Sequence, residues 1–262
     1  MKIQENNSGG LTYLTFPDTV FENTVHGIFT RKGGVSPEPF QSLNLSTSTG
    51  DSNENIHENR NRIFETIGRN VDSLFDVWQV HSNKVVCTDF PRNREINPVK
   101  ADAILTNNPA VTLLMRFADC VPILLFDPVK KVVGIVHAGW EGTLNKIVQE
   151  TVREASTRYG CAPEDMAALI GPCIGAHHYE VGLELAQRFA REFPDSAGII
   201  NQVDHRVFLD LGHANGWLLT GMGVNHILFT NLCTACDTSN WFSHRAEKGK
   251  TGRFGVVIAL KE

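Results

Sequence analysis

The sequence lacks a long hydrophobic run and a strong excess of charge of either sign. Its apolar runs, such as VVIAL before residue 261, are far shorter than the roughly 20 residues of a membrane helix. The start, MKIQENNSGG, has no apolar segment typical of a secretory signal. The net charge of −5 disfavours a general nucleic-acid or acidic-membrane binder. We therefore expect a cytoplasmic protein without nucleic-acid or membrane partners.

A disulfide framework is also missing, because the six cysteines are scattered along a chain with no secretory signal. They are more typical of core residues, metal ligands or nucleophiles. Cys233 and Cys236 form a single C-x-x-C, without a second C-x-x-C or a nearby histidine pair in the sequence. Such an isolated motif favours a role other than metal binding. The remaining cysteines are Cys87, Cys120, Cys161 and Cys173.

No internal repeat, charge block or low-complexity linker divides the 262 residues. We therefore predict one domain over residues 13–262, preceded by a disordered N-terminus over residues 1–12, in a monomer or homodimer. Strand-like runs follow each other without intervening helices, which favours an α+β fold with antiparallel or mixed sheets. Strands are predicted over 25–30, 74–80, 84–88, 111–117, 121–126, 132–137, 167–170, 226–229 and 255–260, and helices over 53–67, 143–159, 179–193 and about 207–221.

The stretch FADCVPILLFDPVKKVVGIVHAGW reads as two strands joined by a turn over residues 127–130. Antiparallel pairing about that turn brings Cys120 next to His137, since opposed Cβ atoms lie about 4.5–5.5 Å apart. His81 occupies a similar tip between two strand-like runs. Two imidazoles and one thiolate suit zinc with an open fourth position. The alternative is that each histidine is only a hydrogen-bonded residue at a strand end.

The turn after His137 combines two glycines with a tryptophan. Gly139 and Gly142 allow close approach of the backbone to a ligand, and a helix from about Thr143 would direct free N–H groups to the same edge. Trp140 then either stacks on a planar base or caps the core. This turn is therefore predicted to form the floor of a pocket.

Three further segments mix glycine with cations or hydroxyls, as phosphate-, carboxylate- and ribose-binding loops do. None of them is a Walker or dinucleotide fingerprint, and each taken alone is more typical of a solvated loop than of a ligand-binding loop. The segments are TRKGGVS, with Arg31 and Ser36; GPCIGAHHYEVG; and WFSHRAEKGKTGRFG, with His244, Arg245, Lys250 and Arg253.

Eight short motifs occur in an order that resembles one known family. They are HGIFTRKGGVS, SLNL, VHSNKV, KADAILT, ADCVPILLFD, VHAGWEG, GPCIG with YEVG, and WFSHRAEKGKTGR. The sequence is similar over residues 25–260 to the bacterial laccase-domain proteins, also named polyphenol oxidases. That family is described as purine nucleoside phosphorylases with adenosine deaminase and methylthioadenosine phosphorylase activity.

The resemblance implies a layered α/β/β/α sandwich with mixed, largely antiparallel sheets, like that of the cytotoxic necrotizing factor deamidase. It also implies a zinc site made by His81, Cys120 and His137. Two cations usual in the family are replaced here by Glu141 and Ala246. The residues expected to bind substrate or phosphate are Arg31, Ser36, Asn44, Trp140, Arg245 and Arg253.

The resulting expectation is a zinc-dependent phosphorylase acting on adenosine, inosine and methylthioadenosine, with adenosine deaminase activity. Cys120, His137 and Asp119 are its expected catalytic residues, with Asp119 transferring a proton, supporting the metal site or only anchoring a turn. One alternative is a copper-dependent polyphenol oxidase, although the ten histidines form no H-x-H motif of a multicopper cluster. The others are a metal-free Cys120–His137 amidase or deamidase and a non-catalytic metabolite-binding protein.

Overall fold

The computed structural model describes residues 2–17, 19–194 and 198–261. The five helices described are α1 (Asn53–Thr66), α2 (Trp140–Leu144), α3 (Ile147–Tyr159), α4 (Leu183–Glu192) and α5 (Leu211–Gly221). The strands are β1 (Gln4–Ser8), β2 (Leu11–Thr15), β3 (Thr24–Phe29), β4 (Leu74–Phe75), β5 (Val85–Cys87), β6 (Ala103–Thr106), β7 (Thr112–Phe117), β8 (Val121–Asp127), β9 (Val132–Ala138), β10 (Ala167–Ile170), β11 (Glu180–Val181), β12 (Ile200–Val203), β13 (Arg206–Leu209), β14 (His226–Phe229) and β15 (Phe254–Leu260).

Two six-stranded sheets lie face to face at the centre of the molecule. The first has the order β1-β2-β3-β15-β7-β4, and the second has the order β14-β10-β8-β9-β6-β5. Every residue of β8, β9 and β15 is buried, which explains why these strands read as continuous apolar runs. The space between the sheets is filled by apolar side chains such as Met115, Phe117, Leu124 and Ile135.

Helices cover the outer faces of both sheets. The buried face of α3 packs with α5 on the second sheet, while Ile63 and Phe64 of α1 pack on the first. Most strand pairs are antiparallel, and the parallel ones are β10–β14, β4–β7 and β5–β6. The predicted α+β class and the α/β/β/α sandwich with mixed, largely antiparallel sheets are thereby confirmed.

The N-terminal residues differ from the prediction of disorder over 1–12. β1 pairs antiparallel with β2, which in turn pairs with β3 at the edge of the first sheet. Leu11 and Leu14 are buried, so this hairpin is held by apolar contacts that the polar sequence MKIQENNSGG did not suggest. Met1 lies outside the described residues.

A third, three-stranded sheet changes two predicted helices. β11 pairs with β13, which also pairs with β12. This pairing takes 180–181 out of the predicted helix 179–193, which begins at Leu183 instead. It also takes 207–209 out of the predicted helix 207–221, which begins at Leu211 after the Asp210 carboxylate accepts a bond from the His213 N–H at 2.8 Å.

Two other predicted elements are shorter than expected. The helix predicted over 143–159 is split into α2 and α3, because Lys146 has a left-handed φ of 61°. The strand predicted over 74–80 ends at Phe75, where its pairing with β7 stops, and beyond it Trp78 makes only an isolated bridge with Lys100. Among the described helices, none has the length and hydropathy needed to cross a bilayer.

Candidate functional site

Three potential metal ligands meet at one end of the second six-stranded sheet. In the hairpin of β8 and β9, Pro122 is paired with His137, so Cys120 just before β8 reaches the histidine as predicted. His81 lies in the turn before β5, and its Nε2 is 3.8 Å from the Cys120 Sγ. The nitrogen and sulfur ligand atoms of these residues, called the cleft trio below, all lie within 4.8 Å of one another. The trio can therefore hold one metal ion.

A buried carboxylate, that of Asp102, fixes the orientation of the cleft trio. Asp102 is fully buried, and its Oδ1 accepts hydrogen bonds from the His137 Nδ1–H at 2.9 Å and the His81 backbone N–H at 3.0 Å. Its Oδ2 accepts from the backbone N–H and hydroxyl of Ser82 at 2.6 and 2.7 Å. Because Nδ1 is engaged, His137 presents Nε2 as its free ligand atom. Asp102 was missed by sequence analysis, although it lies in the KADAILT motif.

Burial shifts the pKa values of Cys120 and His137. Burial raises the pKa of the Cys120 thiol to about 12, and the neighbouring Asp119 carboxylate adds to that rise. Burial also lowers the pKa of His137, although Asp102 opposes the shift. A neutral imidazole is the form that binds a metal, and a bound cation would favour the Cys120 thiolate. The donor set therefore fits a divalent ion held by two nitrogens and one sulfur.

Gly139 explains part of the glycine-rich turn. A Cβ added there would lie 2.8 Å from the His81 Cδ2 and 3.1 Å from the Cys120 Sγ. At Gly142 the same Cβ would make only ordinary contacts, the nearest at 3.4 Å. Close packing on the site therefore requires glycine at 139 and not at 142. The following helix α2 begins at Trp140 rather than near Thr143 and has only five residues.

A cavity of about 450 Å³ opens over the cleft trio, within the usual size range of small-molecule sites. Besides the trio itself, four site residues predicted from the sequence lie in its wall: Asp119, Trp140, Arg245 and Arg253. The other lining residues are Ser46, Thr47, Ser48, Val77, Trp78, Gln79, His81, Pro98, Arg116, Ala118, Cys120, His137, Tyr179 and His244.

Two arginines give the cavity positive charge that the protein does not neutralise by direct pairing. The Arg253 guanidinium donates to the carbonyls of Thr251 and Gly252 at 3.1 and 2.8 Å. The Arg245 guanidinium donates to the carbonyl of Glu180 at 2.9 Å and lies 5.1 Å from the Tyr179 ring centroid. Within the described ranges, neither guanidinium has a carboxylate at ion-pair distance. Both are therefore available to an anion.

Asp119 links the cleft trio to the Arg245 loop. It has a φ of 82°, and its Oδ1 accepts from the Thr234 hydroxyl at 2.7 Å. Its Oδ2 accepts from the Arg245 backbone N–H, also at 2.7 Å. Both oxygens are engaged, which favours a role in positioning over proton transfer. The sequence prediction had left both roles open.

Three predicted substrate or phosphate ligands lie away from the cavity wall. Arg31 pairs with Glu247 at 2.9 Å, and the buried Ser36 hydroxyl accepts from the Asn59 amide at 2.9 Å. The side-chain amide oxygen of the buried Asn44 accepts from the Arg253 backbone N–H at 2.9 Å. Arg31 and Asn44 are thereby tied to the C-terminal segment. None of the three residues lines the cavity, so their role as direct ligands remains a prediction from the sequence.

Comparison with known proteins agrees with this geometry. The family model described as multi-copper polyphenol oxidoreductase laccase matches residues 25–261. The chain belongs to this laccase family. In Bacillus subtilis, the family relative named purine nucleoside phosphorylase YlmD is 36% identical over 251 residues, covering 92% of this chain and 90% of that protein.

Other relatives of this laccase-family chain extend the similarity to nearly its full length. A Deinococcus radiodurans protein named purine nucleoside phosphorylase is 37% identical over 254 residues, covering 96% of this chain and 94% of the relative. The crystal structure of YlmD from Geobacillus stearothermophilus matches with a TM-score of 0.92 and 32% identity, covering 99% of each chain. The relatives are therefore similar to this chain in both sequence and fold.

The two positions at which the family resemblance had implied cations are outside the cavity wall. Glu141 on α2 and Ala246 are both exposed, and neither is among the lining residues of the cavity. The Ala246 backbone N–H donates to the Ser243 hydroxyl at 3.1 Å. The cavity consequently keeps Arg245 and Arg253 despite both replacements.

Sequence analysis of this laccase-family chain also missed the hydroxyl and aromatic part of the wall. Ser46 and Ser48 lie at the cavity with their hydroxyl oxygens 3.0 Å apart, directly after the SLNL motif. Trp78 is 53% exposed and lines the same cavity. The signal available in the sequence was a tryptophan two residues before VHSNKV, because large aromatic side chains close to a ligand-binding motif are typical of ligand contacts.

Proposed function

We propose that this chain is a zinc-dependent purine nucleoside phosphorylase that acts on adenosine, inosine and methylthioadenosine and also deaminates adenosine. The observation that carries the proposal is the meeting of the cleft trio and two unpaired arginines, Arg245 and Arg253, in one cavity. The relatives named purine nucleoside phosphorylases support the same reaction class.

Phosphate is assigned to the arginine side of the cavity. Arg245 and Arg253 can donate charge-assisted hydrogen bonds to phosphate oxygens, and the hydroxyls of Ser46 and Ser48 can add neutral ones. Phosphorolysis breaks the glycosidic bond as positive charge grows on the ribose and negative charge on the departing purine. Cations that hold phosphate close to the sugar convert attack by a free anion into an oriented step.

The purine is assigned to the aromatic walls. Trp78, Trp140 and Tyr179 line the cavity and offer ring faces on which a planar base can stack. The Arg188 guanidinium lies 5.4 Å from the Trp140 ring centroid, a cation–π contact that helps to hold the ring in place. Trp140 therefore serves both as a cap on the core and as a wall of the cavity.

The cleft trio is assigned to zinc. When bound there, zinc would supply a Lewis acid that can polarise the departing purine base in phosphorolysis, and it would lower the pKa of a coordinated water toward about 7 for deamination. His81, Cys120 and His137 would hold the ion, while Asp102 fixes the tautomer and direction of His137. Asp119 holds the Arg245 backbone in place at the same end of the sheet. The six cysteines are free, which agrees with a cytoplasmic location.

Product analysis tests the proposed reactions. Purified protein is incubated with adenosine, inosine or methylthioadenosine, each with and without phosphate, and the products are separated by chromatography. Free purine bases that form only with phosphate are expected from phosphorolysis, and inosine formed from adenosine is expected from deamination. No product from any of the three nucleosides would reject the proposal.

A cysteine amidase is a second possibility with a specific observation behind it. Cys120, His137 and Asp102 stand in the order nucleophile, base and orienting carboxylate. The pKa of Cys120, raised to about 12 by burial, opposes thiolate formation in the free protein and favours the metal site. Alkylation of Cys120 would stop either enzyme, whereas a strong chelator would stop only the metal enzyme.

A copper oxidase is a further alternative, since two imidazoles and one thiolate also suit copper and the family description names a multi-copper oxidoreductase. The copper oxidase and the zinc phosphorylase are distinguished by measuring the bound metal and the oxygen consumed in the presence of a phenol substrate. Copper with phenol turnover would reject the zinc phosphorylase. Nucleoside binding without any turnover would instead indicate a metabolite-binding protein.

A further inference from the structure

A second group of nitrogen and sulfur ligands lies outside the cleft trio. His177, His178, Cys233 and Cys236 bring one ligand atom each to within 4.8 Å of one another. We call these four residues the surface quartet. The histidines lie in a 3₁₀ turn over Ala176–His178, and the cysteines lie in the segment after β14. Two chain segments separated by more than fifty residues therefore converge on one point.

The atoms of the surface quartet have spacings close to those around a tetrahedral metal. The His177 Nε2 lies 3.0 Å from the Cys236 Sγ, and the two imidazole centroids are 4.7 Å apart. In a zinc site, bonds of about 2.0–2.3 Å place neighbouring ligand atoms about 3.3–3.8 Å apart. Small side-chain rotations would bring the quartet to these distances.

The backbone around the surface quartet is built to hold it. The Gly175 N–H donates to the Cys233 sulfur at 3.1 Å, an interaction that stabilises a thiolate. A Cβ at Gly175 would lie 2.6 Å from the His177 Cε1 and 3.2 Å from the Cys233 Sγ. Cys173 and Cys233 also form a β-bridge that joins the two segments. The ligands are thus presented by fixed backbone on both sides.

We propose that the surface quartet is a second, structural zinc site, in which four protein ligands close the coordination sphere. Two nitrogens and two sulfurs are a donor set that selects zinc. The C-x-x-C motif is separated from any histidine pair in sequence, and only the fold supplies the pair. The adjacent histidines depart from the wider spacing of most zinc fingers, but the 3₁₀ turn brings their rings together.

The surface quartet is joined to the cavity through its backbone. The carbonyl of His178 accepts from the Arg245 guanidinium at 3.4 Å, and Tyr179, the next residue, lines the cavity. A metal bound at the quartet would therefore hold in place the segment that contains Tyr179 and contacts Arg245. This effect on the cavity depends on the proposed function, whereas metal binding at the quartet does not.

Metal content per chain tests the proposal directly. The full-length protein is prepared with zinc under reducing conditions, and bound zinc is measured after removal of free metal. We expect about two zinc ions per chain in the unaltered protein and about one after Cys233→Ser with Cys236→Ser. Cys120→Ser should also lower the content to about one. Unchanged zinc content after the double change at Cys233 and Cys236 would reject the quartet.

A spectroscopic measurement keeps the test valid if the double variant does not fold. Cobalt is added to Cys120→Ser protein whose fold is checked by circular dichroism, and thiolate-to-cobalt charge-transfer absorption is recorded. The quartet predicts strong absorption at one equivalent of cobalt, and the absence of that absorption from folded protein would reject the site.

The matched control for the zinc measurement is the double variant His57→Ala with Cys87→Ser, because these residues lie outside both clusters. This variant should retain about two zinc ions per chain.

Discussion

The cleft trio and the surface quartet use the same kinds of ligand atom but differ in number, burial and surroundings. The trio has three ligands, with His137 buried and bonded to the buried Asp102. The quartet has four ligands, three of them exposed, and stands outside the 450 Å³ cavity. A site with an open position beside a cavity is suited to chemistry, whereas a closed site is suited to holding chain segments together.

The comparison shows that charge and shape around a metal ligand distinguish its role better than the ligand types do. Arg245 and Arg253 stand unpaired by carboxylates near the trio, in the part of the chain that the structure describes. At the quartet, the Gly175 N–H donates to the Cys233 sulfur, and Arg245 contacts only the backbone carbonyl of His178. Four predictions follow the order of their expected effects.

The largest difference is expected from removing one sulfur from each site. Cys120→Ser should reduce phosphorolysis by about 10³-fold, because loss of a Lewis acid removes several kcal/mol of stabilisation. Cys236→Ser should cause a much smaller loss, and Cys87→Ser serves as the control for cysteine replacement. Rates are measured as purine released per active chain. Equal losses from Cys120→Ser and Cys236→Ser would remove the functional distinction between the sites.

Asp102→Asn tests the carboxylate that orients His137 in the trio. We expect metal affinity at the trio to fall by about 10- to 100-fold, because an amide cannot replace the carboxylate that accepts from His137 and Ser82. Affinity at the quartet should stay constant. Competition with a chromogenic chelator measures both. A parallel weakening of the two sites would indicate general unfolding instead.

The arginine environment of the trio is tested by a pair of charge-removing changes. Arg253→Gln should raise the KM for phosphate about tenfold, since a hydrogen bond to a charged group contributes about 1.5–3 kcal/mol. Arg31→Gln removes the same charge outside the cavity and should leave that KM within about twofold. Initial rates over a phosphate series give both values. A larger effect from Arg31→Gln would restore the original sequence prediction.

The smallest expected effects come from the two glycines that pack against the ligands. Gly139→Ala should weaken metal binding at the trio, and Gly175→Ala at the quartet, each by about fivefold, because overpacking costs about 1 kcal/mol or more. A Cβ at Gly182 would meet no atom within 4 Å, so Gly182→Ala is the control. Each change should affect its own site alone in the chelator competition.

Sequence patterns predicted the α+β class and a hairpin that brings together two members of the trio, whereas the layered sandwich was implied by the family resemblance. The apolar runs of β8 and β9 fixed a hairpin, and its register placed Cys120 beside His137. Sequence patterns were insufficient where short strands pair with strands that are distant in the sequence. β11 and β13 are too short to show an alternation of their own, and their pairing displaced two predicted helix starts.

The same limit applies to the site. Asp102 is one acidic residue in an apolar segment, and its role depends on two loops that approach it only in the fold. The surface quartet was missed because its histidine pair and its C-x-x-C are far apart in sequence. Conversely, Arg31 has the right charge in a glycine-rich loop, but its partner Glu247 lies more than two hundred residues away. Long-range contacts decided each of these cases.

The position of β15 between β3 and β7 has a consequence for biosynthesis. The strand that joins these two halves of the first sheet follows all the other described strands along the chain, and Arg253 directly precedes it. During translation, β3 and β7 must therefore wait with unpaired edges until β15 has left the ribosomal tunnel. Loop closure over such distances slows folding, and Arg253 takes its place in the cavity wall only after this stretch has been made.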